Sequence, residues 1–276
     1  MTGTTRAGRG GAWGRIALLG LAMLAGACAA QPRGNQSIDQ QDNRGIAAEE
    51  SDSQRRARVR LELAGAYYAE GRLDNALSEV RLALAANPDM PQALNLRGLV
   101  LAALGEEKQA EESFKRGVEV APNDGDTLHN YGWFLCQRGR YAEGNALFDR
   151  ALAMNSYRTP SRTLLVQGVC EARSGQLEKA EHTLKRAYEL DAANPATAMN
   201  LADVLYRRGD YERARFYVRR VNNNGELRNA ESLWLAARIE NRLANPQGVR
   251  DLGNQLRSSY PSSREAQAFE RGIFDE

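Results

Sequence analysis

The chain has 276 residues, with 37 Lys and Arg against 35 Asp and Glu, and 42% of its residues are hydrophobic. A formal charge of +2 is too small for a protein whose main ligand is a phosphate backbone, because such proteins usually carry a strongly basic patch. The hydrophobic fraction fits neither a disordered chain nor a multispanning membrane protein. We therefore expect a folded body and no nucleic-acid partner.

The first 27 residues have the layout of a bacterial secretory signal. Arg6, Arg9 and Arg15 precede an apolar run over residues 16–27, and no acidic residue occurs before Asp39. A run of this length is well below the roughly 20 residues that span a bilayer as a helix. The sequence therefore predicts a cleaved signal peptide at 1–27.

Cys28 follows Ala25-Gly26-Ala27, as in a lipobox, where the cysteine thiol takes a diacylglyceryl group and becomes the mature N-terminus. A lipobox usually has Leu where this chain has Ala25, and the same three residues would also satisfy ordinary signal cleavage that leaves Cys28 unmodified. We predict lipidation of Cys28, since several buried acyl chains attach a protein firmly to a membrane. By resemblance to sorted lipoproteins, Ala29 in place of Asp favours the periplasmic face of the outer membrane.

Residues 28–54 are polar and poor in aliphatic side chains, so they bury too little apolar surface to offset their conformational entropy. We predict a flexible tether that separates the anchor from the folded body by roughly 25 to 30 Å.

Glycines recur through the rest of the chain at intervals of 34, 34, 36 and 34 residues, at Gly71, Gly105, Gly139, Gly175 and Gly209. Small residues upstream of each glycine, and small and then large apolar residues downstream, complete the tetratricopeptide pattern. Each glycine supplies the positive φ that ends a first helix. We predict an all-α fold, a right-handed superhelix (solenoid) of six helix-turn-helix repeats, followed by a tail at 264–276. The predicted units are 57–90, 91–124, 125–160, 161–194, 195–229 and 230–263.

Three positions depart from the pattern. Gly144 stands where the repeat has Ala, which predicts a looser third unit, and Ala244 replaces the turn glycine of the sixth. Residues 155–160 lengthen the junction after the third unit, which predicts a local change in curvature.

The chain has no pattern of catalytic residues. His129 and His182 lie on different repeats, and no metalloprotease, nucleophile-elbow, paired-cysteine or phosphate-loop motif occurs. Each histidine is predicted to be a lone surface residue, and a Cys136-His129 pair lacks an orienting third group. We expect no enzyme activity, no cofactor other than the lipid, no metal and no small-molecule substrate.

Cys136 and Cys170 lie one repeat apart on successive first helices. The two-residue insertion puts them two positions out of register, which turns one by about 200° and can aim the two thiols at each other across neighbouring helices. An oxidising periplasm would close such a pair, so we predict a disulfide; the alternative is two buried free thiols.

The first helices of a tetratricopeptide superhelix line its concave side, and the repeat register nominates residues for a partner-binding groove there. Aromatic and arginine anchors dominate interface energies, and an amide can both donate to and accept from a peptide backbone. The alternative for the asparagines is solvated surface amides, and for Trp133 a half-core position. The predicted groove residues are His129, Asn130, Trp133, Asn200, Asp203, Tyr206, Trp234 and Arg238.

The run from Asn130 to Cys136, Asn-Tyr-Gly-Trp-Phe-Leu-Cys, and the later Tyr157-Arg158-Thr159-Pro160 are more particular than any generic repeat. Together with the lipoprotein signal and six units, they resemble the PilF/PilW family of type IV pilus biogenesis lipoproteins. The resemblance implies a pilotin, carried to the outer membrane by its lipid, that promotes localisation and multimerisation of the secretin ring. The competing interpretation is a general periplasmic scaffold for cell-envelope assembly.

Overall fold

The structure is a computed structural model that describes residues 51–274, so the predicted signal peptide, Cys28 and nearly all of the predicted tether lie outside it. Between residues 51 and 274 there are thirteen α-helices and no strand. The helices are α1 (Asp52–Ala69), α2 (Leu73–Ala86), α3 (Pro91–Ala103), α4 (Glu107–Val120), α5 (Gly125–Gln137), α6 (Tyr141–Leu152), α7 (Pro160–Arg173), α8 (Leu177–Leu190), α9 (Pro195–Arg207), α10 (Tyr211–Asn222), α11 (Ala230–Arg242), α12 (Pro246–Ser259) and α13 (Arg264–Glu270).

The first twelve helices form six helix pairs, as the repeat pattern predicts, and α13 follows the last pair. Each odd-numbered helix packs on its own partner and on the next odd-numbered helix, whereas successive even-numbered helices lie farther apart and meet only through side chains, as Tyr188 on α8 and Tyr217 on α10 do. The second helices therefore splay apart, and the first helices line the inner, concave surface of the solenoid.

The two ends of the array differ from the prediction. α1 begins at Asp52, because Ser51 accepts from Gln54 N and the Gln54 side chain accepts from Ser51 N, which is a capping box. The first helix therefore begins inside the stretch predicted as tether, of which residues 28–50 lie outside the described residues. The predicted tail contains α13, whose Phe269 ring packs where Gly253 has no side chain, and Ala266 joins a cluster with Leu233 and Leu256. α13 covers apolar surface at the end of the stack, as the terminal elements of repeat proteins do.

Size complementarity joins the two helices of the second and third units. A Cβ at Gly132 would lie 2.6 Å from the Phe148 ring, and a Cβ at Gly98 would lie 2.6 Å from the Phe114 ring. These glycines let a large second-helix side chain reach the first-helix backbone. The expectation that Gly144 loosens the third unit is wrong: a Cβ there would lie 2.7 Å from the Gly132 carbonyl oxygen, so Gly144 permits the close approach of α5 and α6.

The turn between the two helices of a unit uses glycine in five of six repeats. Gly139, for example, has φ of 75°, and its neighbour Arg140 donates its N–H to Leu135 O at 3.0 Å, which satisfies a carbonyl at the end of α5. The sixth turn has Ala244 at φ of 54°, the one non-glycine residue with positive φ between residues 51 and 274.

Ala244→Gly should raise the free energy of unfolding by about 0.5 to 1 kcal/mol, because glycine adopts the left-handed region without the steric cost of a Cβ. Urea denaturation followed by circular dichroism measures the change. Gly139→Ala is the matched control and should shift stability by about 1 kcal/mol in the opposite direction. A shift of the same sign in both variants would contradict the prediction.

Candidate partner-binding surface

The predicted groove residues fall into two groups on the inner surface. His129, Asn130 and Trp133 lie on α5, whereas the other five lie on α9 and α11. Most of the residues on α9 and α11 lie together around one cavity. Most of the residues on α5 instead contact other residues of the array.

A cavity of about 360 Å³ opens between α9 and α11. Four of the predicted groove residues line it, together with two apolar side chains and one further carboxylate. Its lining is Met199, Asn200, Asp203, Glu231, Trp234, Leu235 and Arg238. The cavity combines an aromatic ring, an amide and charges of both signs, which suits the side chain and backbone of a peptide.

Asp203 is a partly buried carboxylate in the lining of the cavity. Burial raises the pKa of its carboxyl, and this effect is opposed by the positive charges of Arg207 and Arg238. Arg207 Nη1 lies 3.8 Å from Asp203 Oδ2. Two arginines therefore offset the negative charge of the Asp203 carboxylate. Glu231 is a second acidic group in the lining that a basic side chain of a partner could contact.

Asn200 and Tyr206 are not free in the way the register predicted. The Asn200 amide donates to Ala196 O at 2.8 Å, one turn earlier in its own helix. Tyr206 is 7% exposed, so its placement as an open groove residue is wrong. Its ring lies under the Arg238 guanidinium, 4.6 Å from ring centroid to Cζ, and its hydroxyl donates to Phe274 O at 3.4 Å.

His129 is buried and does not face the groove. The side chain is 3% exposed, which corrects both its placement in the groove and its expected position as a lone surface residue. Its Nδ1 lies 2.7 Å from Thr163 Oγ1 on α7, and Tyr157 Oη lies 2.6 Å from the same oxygen. The insertion at 155–160 thus supplies Tyr157 to a buried hydrogen-bonded chain that joins α5 to α7.

Asn130 belongs to a polar ladder across three first helices. It donates to Asn95 Oδ1 on α3 at 3.0 Å and accepts from Arg162 Nη2 on α7 at 3.4 Å. Both functions of the amide are therefore engaged, so we do not retain Asn130 as a ligand for a peptide backbone.

Cys136 and Cys170 are joined in a disulfide between α5 and α7, with Cα atoms 5.8 Å apart. Both cysteines are buried in a cluster with Phe148, against which the half-buried Trp133 packs. The Trp133 ring has Arg173 over it at 5.1 Å. Trp133 is therefore partly a core residue, and Arg173 lies over its ring.

The burial of His129 makes stability depend on pH. Burial, aided by the charge of Arg162, lowers the pKa of His129 to about 4 from the 6.5 of an exposed imidazole. Between these two values the unfolded chain binds the proton and the folded chain does not, so stability falls as the pH falls. We expect the free energy of unfolding to fall by about 2 kcal/mol from pH 7 to pH 5 because of His129.

The measurement is the difference between the wild type and His129→Gln in urea titrations at the two pH values. That difference cancels the contribution of other groups, including Asp203. His182→Gln is the control for replacing a histidine, because His182 is exposed on α8. Identical pH profiles for all three proteins would contradict the prediction.

Two kinds of feature are absent from the described region, residues 51–274. No cluster of three or more His, Cys, Asp or Glu side chains there could hold a metal ion. No helix in the same region has the length and apolar character to cross a bilayer.

The repeat register did not predict that Arg162, Thr163 and Phe274 contact residues of the predicted groove. Arg162 and Thr163 sit at the start of α7, where the insertion shifts the pattern. The sequence feature that could have indicated a contact of residues 271–274 with the array is the pair of adjacent apolar residues Ile273 and Phe274 at the end of a polar stretch.

Comparison with known families and proteins agrees with this architecture. The tetratricopeptide repeat family matches residues 46–91, 61–125 and 135–195, and a second tetratricopeptide repeat family matches residues 171–239. The type IV pilus assembly protein PilF of Pseudomonas aeruginosa is 27% identical over 219 residues, which cover 79% of this chain and 86% of PilF.

Two solved structures are similar over almost their whole length. The crystal structure of PilW, described as a widely conserved type IV pilus biogenesis factor, superposes with a TM-score of 0.73 at 31% identity and covers 77% of this chain and 97% of PilW. The structure of Pseudomonas aeruginosa PilF superposes with a TM-score of 0.71 at 25% identity and covers 80% of this chain and 100% of that one.

Proposed function

The chain belongs to the tetratricopeptide repeat family and, within it, to the PilF/PilW proteins, and from this we propose that it is a pilotin of type IV pilus biogenesis. In this proposal the protein is an outer-membrane lipoprotein that binds secretin subunits and promotes their localisation and multimerisation. The observation that carries it is the overlap with PilW, at 97% of that chain.

The proposed mechanism is binding and retention without catalysis or a cofactor. A lipid on Cys28 keeps the protein at the periplasmic face of the outer membrane, and the inner surface of the repeats holds a segment of the secretin. Retention at one membrane raises the effective concentration of subunits, which favours ring assembly.

The cavity between α9 and α11 is the best candidate for the contact. It is open, and Trp234 and Arg238 are of the residue types that dominate interface energies. Asn130, by contrast, is held by Asn95 and Arg162.

The test is capture of partners from detergent-solubilised outer membranes with the wild type, Trp234→Ala and Phe216→Ala. Phe216 is 56% exposed on α10, a second helix, and serves as the control. A secretin captured by the wild type and Phe216→Ala, but not by Trp234→Ala, supports the proposal. Capture of other cell-envelope assembly proteins without a secretin favours the general scaffold.

The lipid anchor has its own test. Cys28→Ser should abolish incorporation of labelled palmitate and move the protein from the outer-membrane fraction to the soluble periplasmic fraction. Unchanged fractionation of Cys28→Ser would remove lipidation from the mechanism and leave ordinary cleavage as the alternative.

A further inference from the structure

Residues 271–274 fold back onto the inner surface of the array. At the end of α13, Gly272 has φ of 68°, its N–H donates to Phe269 O at 3.0 Å, and Ile273 N–H donates to Ala268 O at 3.1 Å. This pair of bonds around a left-handed glycine is a Schellman motif, which sets the direction of the chain after a helix.

Phe274 lies on three residues of α9 and α11. Its carbonyl oxygen accepts from Arg238 Nε at 3.2 Å and from Tyr206 Oη at 3.4 Å. Its ring lies 5.2 Å from the Trp234 ring, centroid to centroid. We call the surface formed by Tyr206, Trp234 and Arg238 the aromatic-arginine seat.

The seat holds two general features of a peptide: a backbone carbonyl and an aromatic side chain. Arg238 and Tyr206 donate to the carbonyl, so these bonds do not depend on the identity of the bound residue. Trp234 adds an aromatic contact, which is worth about 0.5 to 1.5 kcal/mol beyond its buried area.

The seat is continuous with the open cavity. Trp234 and Arg238 both line the cavity, and both contact Phe274. A peptide that enters the cavity and continues along α11 therefore meets Phe274 in the place where its next residue would bind.

We propose that the aromatic-arginine seat binds an extended partner segment that carries an aromatic side chain, and that residues 271–274 are a built-in competitor for it. The inference rests on the proposed function only in taking the inner surface as the partner-binding face. An attached competitor acts at an effective concentration in the millimolar range when its linker is short, so it suppresses weak or unsuitable ligands.

The experiment measures binding of a fluorescent peptide with the sequence Glu-Arg-Gly-Ile-Phe-Asp-Glu, which copies residues 270–276. Fluorescence anisotropy compares the full-length wild type with Phe274→Ala, and with Gly272→Ala, which strains the turn and leaves the seat intact. Both variants should bind the peptide at least about tenfold more tightly than the wild type, since apparent affinity scales with the fraction of open seat.

Two controls identify the surface. Phe216→Ala should bind like the wild type, and adding Arg238→Ala to Phe274→Ala should abolish the gain. A peptide with Ala in place of its Phe should bind more weakly, because it keeps the carbonyl bonds and loses the aromatic contact with Trp234. The proposal is overturned if Phe274→Ala binds no more tightly than the wild type, or if the Ala peptide binds as well as the Phe peptide.

The outcome is separable from that of the secretin test, because the probe is a copy of this chain. Peptide binding without secretin capture would keep the seat and reject the pilotin assignment. Secretin capture that is unchanged by Arg238→Ala, with no peptide binding, would reject the seat and keep the assignment.

Discussion

Phe148→Ala is expected to lower the free energy of unfolding by about 3 to 5 kcal/mol, the largest effect of a single substitution that we predict here. Phe148 is 0% exposed, its ring packs where Gly132 lacks a side chain, and it lies 6.2 Å from the His129 ring. Removing the ring leaves a cavity between α5 and α6 that the glycine cannot fill. Urea denaturation followed by circular dichroism measures the loss.

Phe216→Ala is the matched control for this substitution. Its ring is 56% exposed and contacts Tyr217 edge-on, so the loss should stay below about 1 kcal/mol. Equal losses at the two positions would contradict the packing argument. Because repeats are stabilised through their neighbours, Phe148→Ala should also loosen the inner face formed by α5 and α7.

Loss of the Cys136-Cys170 bond should cost about 3 to 4 kcal/mol, because the bond closes a loop with a sequence separation of 34 residues and restricts the unfolded chain. The bond also ties the third repeat to the fourth, where the insertion interrupts the regular spacing. We expect a reductant to lower the urea midpoint of the wild type and to leave the double variant Cys136→Ala, Cys170→Ala unchanged.

Peptide mapping without reductant supplies the second readout. The protein from an oxidising compartment should show no free thiol at position 136 or 170. Free thiols at both positions, with a midpoint that does not respond to reductant, would restore the alternative of two buried cysteines.

The helix pairs were predictable from the sequence because a tetratricopeptide unit is a local structure. Turn glycines, small residues at the helix crossing and prolines after the second helix act within about 34 residues of one another. Deviations at the ends have equally local causes, the Ser51 capping box and the glycine that turns the chain after α13.

Residue exposure on the inner surface was less predictable, because it depends on how one first helix packs on the next. His129 and Trp133 have groove positions by register, yet Thr163 and Tyr157 bury the first and the disulfide cluster half-buries the second. The insertion at 155–160 brings Tyr157 to this interface, a consequence that spacing alone does not reveal.

The amino-acid sequence was sufficient for the repeat architecture, the family and the pairing geometry of Cys136 and Cys170, since all three follow from periodicity and short motifs. Packing in three dimensions was needed to locate the open cavity between α9 and α11. It was also needed to show that Phe274 contacts the aromatic-arginine seat beside this cavity. Tyr206 and Phe274 are far apart in the sequence, and no local pattern predicts that the Tyr206 hydroxyl donates to the Phe274 carbonyl. That contact arises only when the last helix closes the stack and the chain turns back along its inner face.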